Sequence, residues 1–266
     1  MNAVRPRALT IAGSDSGGGA GVQADMKTFG ALGVFGMTAI TAITAQNTRA
    51  VIAAEILSSE LIAAQVDAVV EDIGVDAVKT GMLGTAPTID LVAGLADRHA
   101  FSRLVVDPVM VAKSGARLLA EDAVSALRGR LIPRALVVTP NHPEAEVIVG
   151  HPIDSDDAVH AAAGEIVRLG ARWVVMKGGH RGGDEVVDLL HDGDRFWEFR
   201  DRRIPTTSTH GTGCTFAAAI AARLAHGDDV PDAVAFAKTY LHEAIVAAWG
   251  LGHGHGPLHH YHRWYR

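Results

Sequence analysis

The stretch Arg7-Ala8-Leu9-Thr10-Ile11-Ala12-Gly13 runs into Ser14-Asp15-Ser16-Gly17-Gly18-Gly19-Ala20-Gly21, and then into the segment Val22 to Leu32. The first seven residues read as a strand: short, apolar and ended by glycine. In the last segment Val22, Met26, Phe29 and Leu32 fall close to one face of a helix. Strand, glycine loop and helix in that order open an α/β fold. The loop is not a Walker loop, because no Gly-Lys-Ser/Thr closes it. It can be forced onto the Gly-x-Gly-x-x-Gly of a dinucleotide loop, but Asp15 inside it is unusual there. The better reading is a loop that closes over a small polar substrate. Asp15 or Asp25 would offer it hydrogen bonds, or else cap the helix.

Working outward, the alternation continues. The residues from Val34 to Ile43 and from Val51 to Leu57 are strand-like, and Ser58-Ser59-Glu60 opens a helix to Ile73. Asp76 to Thr80 is a short strand, and Thr85-Ala86-Pro87 opens a helix to about His99. Leu104 to Met110 and Ala135 to Thr139 read as strands, with a helix from Glu121 to Arg130 between them. Asp156 to Leu169 is an amphipathic helix, and Trp173 to His180 is a strand ending in a lysine and two glycines. Asp192-Gly193-Asp194 signals a hairpin between the runs Val186 to His191 and Arg195 to Phe199. Pro231 to Trp249 is the last helix. No linker or composition shift divides the chain. The expected architecture is one domain over residues 1–266. It is a three-layer α/β/α sandwich with a mostly parallel central sheet and a small β-hairpin late in the chain. Right-handed crossovers put the strand C-terminal ends on one edge. Ser14, Gln46, Gly81, Asp107, Asn141 and Lys177 all follow apolar runs and are expected to gather there.

Composition narrows the function classes. The 266 residues are 48% hydrophobic and 5% aromatic, so the core is built mostly of Ala, Val, Ile and Leu. A formal charge of -6 argues against a general nucleic-acid binder. The one cysteine, Cys214, excludes an intrachain disulfide and fits a reducing compartment. The segment from Met1 to Arg7 lacks the apolar core of a signal peptide, and charged residues interrupt every candidate membrane span. A soluble cytoplasmic protein is the expectation.

The chemistry concentrates late in the chain. His210-Gly211-Thr212-Gly213-Cys214 precedes an Ala-rich run to Leu224, so a glycine-bearing loop feeds a helix N-terminus. Such a terminus offers free backbone N–H groups and partial positive charge to an anion. Cys214 in the first turn is expected to have a lowered thiol pKa and to be a candidate proton acceptor; the plain alternative is a small residue packing the loop. Gln46 offers a donor and an acceptor, matching the edge of a heteroaromatic ring, or is simply a turn residue. Met82 is either an apolar wall for a flat ligand or core. Asp107, at a strand end before Pro108, is a site candidate or a turn. Asn141 and Glu144 are oxygen ligands suited to magnesium through water and phosphate, or a helix cap. Lys177 can reach a phosphate as a point charge. The tail from Gly252 to Arg266 is rich in Gly and His. It is interrupted by Pro257, Leu258, Tyr261 and Trp264, so it reads as a packed or exposed segment rather than a metal site.

These motifs in this order resemble the ribokinase-like superfamily, and within it the hydroxymethylpyrimidine/phosphomethylpyrimidine kinases of thiamine biosynthesis. The resemblance rests on the segments 12–21, 41–48, 79–83, 106–110, 139–144, 177–180 and 210–214 and spans nearly the whole chain. It implies an ATP- and magnesium-dependent kinase, dimeric, that phosphorylates a hydroxymethylpyrimidine to its monophosphate and then to the diphosphate. It implies that Gln46 holds the pyrimidine, with Gly13, Asp25, Met82 and Val109 around it. It puts Asn141, Lys177 and Thr209 at ATP, and Glu144 and Asp107 at the metal. Gly211, Thr212 and Gly213 would hold the transferring phosphoryl group, with Cys214 as the base. Two other readings stand beside it: a pyridoxal-type vitamin kinase, and a non-enzymatic nucleotide-binding module built on the first glycine loop.

Overall fold

A computed structural model describes residues 5–111, 115, 118–120, 122–180 and 182–265. The expectation for the N-terminus from Met1 to Val4, the first residue of the Glu121 helix and the last residue of the tail, Arg266, lie outside them. Among the described residues nine strands form one sheet: β1 (Arg7–Asp15), β2 (Phe35–Gln46), β3 (Val51–Ile56), β4 (Ala77–Thr80), β5 (Leu104–Val106), β6 (Val137–Val138), β7 (Trp173–Met176), β8 (Glu185–His191) and β9 (Phe196–Arg202). Their spatial order is β3-β2-β1-β4-β5-β6-β7-β8-β9. Along that order, the strands from β2 through β7 pair in parallel. Antiparallel strands close both edges, β3 on β2 and the β8–β9 hairpin on β7. Asp192 makes the hairpin turn, its Oδ1 accepting from the backbone N–H groups of Asp194 and Arg195.

The short central strands are apolar on both faces because both are covered. Leu104 and Val106 face one core, which includes Ile89, Val92, Leu131 and Ile166. Val105 faces the other, with Phe29, Phe216 and Val234. On the first side lie α2 (Ser59–Asp72), α3 (Ala86–Arg98), α4 (Ala123–Ala126), α5 (His142–Val149) and α6 (Asp156–Arg168). On the second lie α1 (Gly21–Ala31), α7 (Thr212–His226) and α8 (Val230–Val246). Ser58, Thr85, Asn141, Ser155 and Asp229 cap their helices through side-chain oxygens. Residues 217–222 on α7 are all fully buried, and all but Ile220 are alanine, so small side chains let this helix lie tightly in the second core.

Several boundaries move from the sequence expectation. β2 runs through to Gln46, because β3 returns antiparallel and pairs with it as far as Gln46↔Val51. β5 and β6 are shorter than their apolar runs. The Glu121 to Arg130 helix is one α turn, α4, followed by a π-helical turn over Leu127–Leu131 and a tight turn over Ile132–Arg134. Pro133 removes an N–H there, so a regular helix cannot continue.

Candidate active site

The C-terminal ends of the parallel strands open into a cavity of about 790 Å³. Its wall includes Gly13, Gln46, Met82, Asp107, Val109, Asn141, Glu144 and Lys177, together with Thr209 and the run Gly211 to Cys214. Of the residues that the sequence nominates for a site, Asp25 does not line it. Asp25 is fully buried beneath the site, where it accepts from Lys79 Nζ at 2.8 Å and from Thr10 Oγ1 at 2.6 Å. A carboxylate engaged this way has no edge left for a ligand in the cavity. Gly81, expected at the same edge, does not line this cavity either.

The first glycine loop is folded onto its own aspartate. Asp15 accepts from the N–H groups of Gly17, Gly19 and Ala20 at 2.8, 3.1 and 2.8 Å, and from His210 Nε2 at 2.7 Å. Burial works against the Asp15 charge, but His210 and the Gly17 and Ala20 amides overcome it and hold its pKa below the usual range. Those amides are therefore spent on Asp15, and the loop is no cradle for a pyrophosphate; this counts against the dinucleotide-module reading. Ser16 fixes the neighbouring strand end, donating to Gln46 O and accepting from Gln46 N, each at 2.8 Å.

The second glycine loop meets the first. Gly211 has φ +82°, and a Cβ there would overlap the carbonyl oxygen of Gly19. With its backbone in that conformation, α7 begins at Thr212, and its first turn, Thr212 to Cys214, lines the cavity. Gly213 lies against the charged end of the site: a Cβ there would sit 3.3 Å from Lys177 Nζ and 3.6 Å from Asp107 Oδ2.

That charged end is one lysine among two acids. Lys177 Nζ lies 2.8 Å from Asp107 Oδ1 and 3.7 Å from Glu144 Oε2. Burial opposes the lysine charge, yet Asp107 and Glu144 outweigh it and raise its pKa. Glu144 is pushed up to about 7, chiefly by burial, with Lys177 opposing and Asp107 adding to the rise. Asn141 and Glu144 also form a reciprocal cap at the start of α5: Asn141 Oδ1 accepts from Glu144 N, and Glu144 Oε2 accepts from Asn141 N. Thus the capping reading holds for both residues, and both still line the cavity. Among the described residues no cluster of three or more His, Cys, Asp or Glu forms a metal cage. The oxygens of Asp107 and Glu144 suit a divalent cation, whose charge would favour the ionised form of Glu144, with water and phosphate as its remaining oxygen ligands.

At Cys214 the expected direction is reversed. Burial raises the thiol pKa to about 11; Lys79 opposes this, and Asp25 and Asp107 reinforce it. The helix terminus does not win: Cys214 is half-buried at the cavity wall, and the protein packed behind it leaves too little water to stabilise a thiolate.

Sequence reasoning misses several wall residues. It marks His210 only as part of the loop, yet the imidazole bonds Asp15 across a sequence separation of 195. The tail is packed, and it brings His255 to the cavity by donating the His255 N–H to Thr48 O. Lys238 lies beneath the turn after Lys177, 2.8 Å from Asp188, which also accepts from Gly178 N. No local motif marks these residues; each is set by a long-range contact.

A parallel-centred sheet with a glycine loop at a helix N-terminus, a lysine and two acids around one strand-end cavity is the arrangement of a ribokinase-like small-molecule kinase. Residues 15–259 match the phosphomethylpyrimidine kinase family, and the chain belongs to it. A hydroxymethylpyrimidine/phosphomethylpyrimidine kinase of Rhizobium meliloti is 56% identical over 97% of this chain and 98% of its own. The crystal structure of a Clostridium difficile phosphomethylpyrimidine kinase is 44% identical, with a TM-score of 0.81 over 91% of this chain and 100% of its own. A Staphylococcus aureus pyridoxal kinase, solved with AMP-PCP and pyridoxal, is 36% identical, with a TM-score of 0.90 over 98% and 96%.

Proposed function

We propose that this enzyme transfers the γ-phosphoryl group of ATP to the hydroxymethyl group of 4-amino-5-hydroxymethyl-2-methylpyrimidine, and then phosphorylates the monophosphate to the diphosphate used in thiamine biosynthesis. The observation that carries this reading is a single cavity joining an amide-bearing strand end, Gln46, to the anion loop at the start of α7. The acceptor ring lies between Gln46 and the apolar wall of Gly13, Met82 and Val109. A side chain at Gly13 would crowd the Met82 sulfur at 3.1 Å, so glycine leaves room for that wall.

The acceptor oxygen bonds to the γ-phosphorus as the bond to ADP breaks, and the hydroxyl proton passes late in the transfer to an oxygen of the transferred phosphoryl group. Such transfers are loose, so positioning and charge stabilisation do most of the work. The N–H groups of the Gly211–Gly213 loop hold the transferring group, and Lys177 offsets the triphosphate charge. Asn141 and Thr209 contact ATP. Mg2+, held through Glu144 and Asp107, would neutralise charge on the phosphate oxygens. Cys214 borders the acceptor as a neutral thiol. A free thiol and ATP consumption suit the reducing cytoplasm. A homodimer is supported by the apolar surface at this edge of the sheet, where Ile43 on β2 is 53% and Ile52 on β3 73% exposed.

The likeness to the S. aureus enzyme favours pyridoxal as a second acceptor. Purified protein with ATP and Mg2+ is offered each compound, and products are read by mass. Mono- and diphosphates of the pyrimidine are expected. Pyridoxal phosphate without either pyrimidine product would reverse the assignment.

A further inference from the structure

Gln46 presents a hydrogen-bond puzzle that its neighbours resolve. Its carboxamide lies with Nε2 3.3 Å from His210 Nε2 and Oε1 3.3 Å from Thr44 Oγ1. The Thr44 hydroxyl hydrogen is already committed to Ser14 O at 2.8 Å, so Thr44 can only accept from Gln46. His210 Nε2 lies 2.7 Å from an Asp15 carboxylate that three backbone N–H groups keep ionised, so Nε2 carries the hydrogen and cannot accept from Gln46. In this orientation the amide sets a donor against a donor and an acceptor against an acceptor. A half turn about its terminal bond matches both contacts, and oxygen and nitrogen in a carboxamide are assigned by such partners.

We propose that His210, held by Asp15, sets the direction of the Gln46 carboxamide and so determines which ring edge the site accepts. In that direction Oε1 shares the His210 N–H, and Nε2 gives one hydrogen to Thr44. One lone pair and one hydrogen then remain for a ligand, side by side. A 4-aminopyrimidine carries an amino donor next to a ring-nitrogen acceptor and pairs with both. A pyridine ring bearing a 3-hydroxyl has no such adjacent ring-nitrogen pair, so pyridoxal would be held as the weaker, second acceptor. His210 acts through Gln46 and is a positioning residue. Its seat is prepared: a side chain at Gly19 would overlap the His210 ring at about 2.5 Å, and His210 N donates to Gly256 O in the packed tail.

The inference rests on Gln46 reading the acceptor, and the test separates the two claims. Calorimetry on full-length protein compares 4-amino-5-hydroxymethyl-2-methylpyrimidine with the analogue lacking the amino group, while steady-state kinetics give the KM for ATP. In His210→Phe the preference for the amino compound is expected to fall about ten-fold, the size of one hydrogen bond, with the KM for ATP unchanged. In Gln46→Ala the preference falls as far, and adding His210→Phe to it causes no further loss. Equal rises in the KM for ATP and for the pyrimidine, or additive losses in the double variant, would overturn the proposal. A loss in Gln46→Ala with none in His210→Phe overturns the role of His210 alone. No loss in Gln46→Ala overturns the acceptor reading and this inference with it. Nitrogen-15 spectra of the wild-type imidazoles give a check that needs no variant to fold: His210 must carry its hydrogen on Nε2, and a bare Nε2 defeats the proposal.

Discussion

At Cys214 two physical effects oppose each other. A helix N-terminus favours a thiolate, while burial disfavours any charge. Burial wins, and the thiol rises to about 11. A thiol raised in this way is a poor proton acceptor at neutral pH. If it were nevertheless the base, turnover of the first transfer would climb about ten-fold per pH unit until the thiol titrated. We expect turnover to stay level between about pH 7 and 9, since loose transfer asks little of a base. Cys214→Ala is expected to cost less than the roughly 10²–10⁴-fold typical of a lost general base. Steady-state pH profiles of wild type and variant check both expectations. A steep alkaline rise that disappears in the alanine variant would restore the base role.

The element that decides the site is the junction of the two glycine loops with α7. Gly211 combines a φ of +82° with direct backbone contact to Gly19, so both strain and overlap oppose a side chain. Gly211→Ala is expected to lower stability by about 1–3 kcal/mol and to depress turnover with every acceptor, because the α7 amides lose their aim. Gly94 supplies the contrast. It is an exposed residue inside α3, and an added Cβ there meets nothing within 4 Å. Gly94→Ala is expected to raise stability by roughly 0.5–1 kcal/mol, since the gain is helix propensity alone. Urea unfolding of the two variants measures both signs. A neutral Gly211→Ala would mean that the loops can part without cost.

For the whole molecule, the edges of the sheet matter. The β8–β9 hairpin closes one edge. The other ends in β3, whose residues after Val51 are all exposed. An uncovered apolar edge strand is a liability in a monomer and an asset in an interface. Wild-type protein is expected to sediment as a dimer at micromolar concentration, and Ile52→Asp to shift it toward monomer. A monomeric wild type would remove the homodimer from the proposed function.

By itself the sequence determined the alternating layers, because periodicity and caps are local: Ser58 and Thr85 start helices wherever the chain goes. It also put Gln46, Asp107, Asn141 and Lys177 at one cavity, since apolar runs that stop at these residues share one edge in a parallel sheet. Only the tertiary structure decided what those residues can do. Asp25 left the cavity because Lys79, 54 positions away, claims it. The Cys214 thiol rose because burial depends on everything packed around it, and a five-residue motif carries no record of that. His210 met Asp15 only when two loops 195 residues apart closed on each other. Electrostatics and hydrogen-bond satisfaction are sums over neighbours in space, and neighbours in space are what the fold supplies.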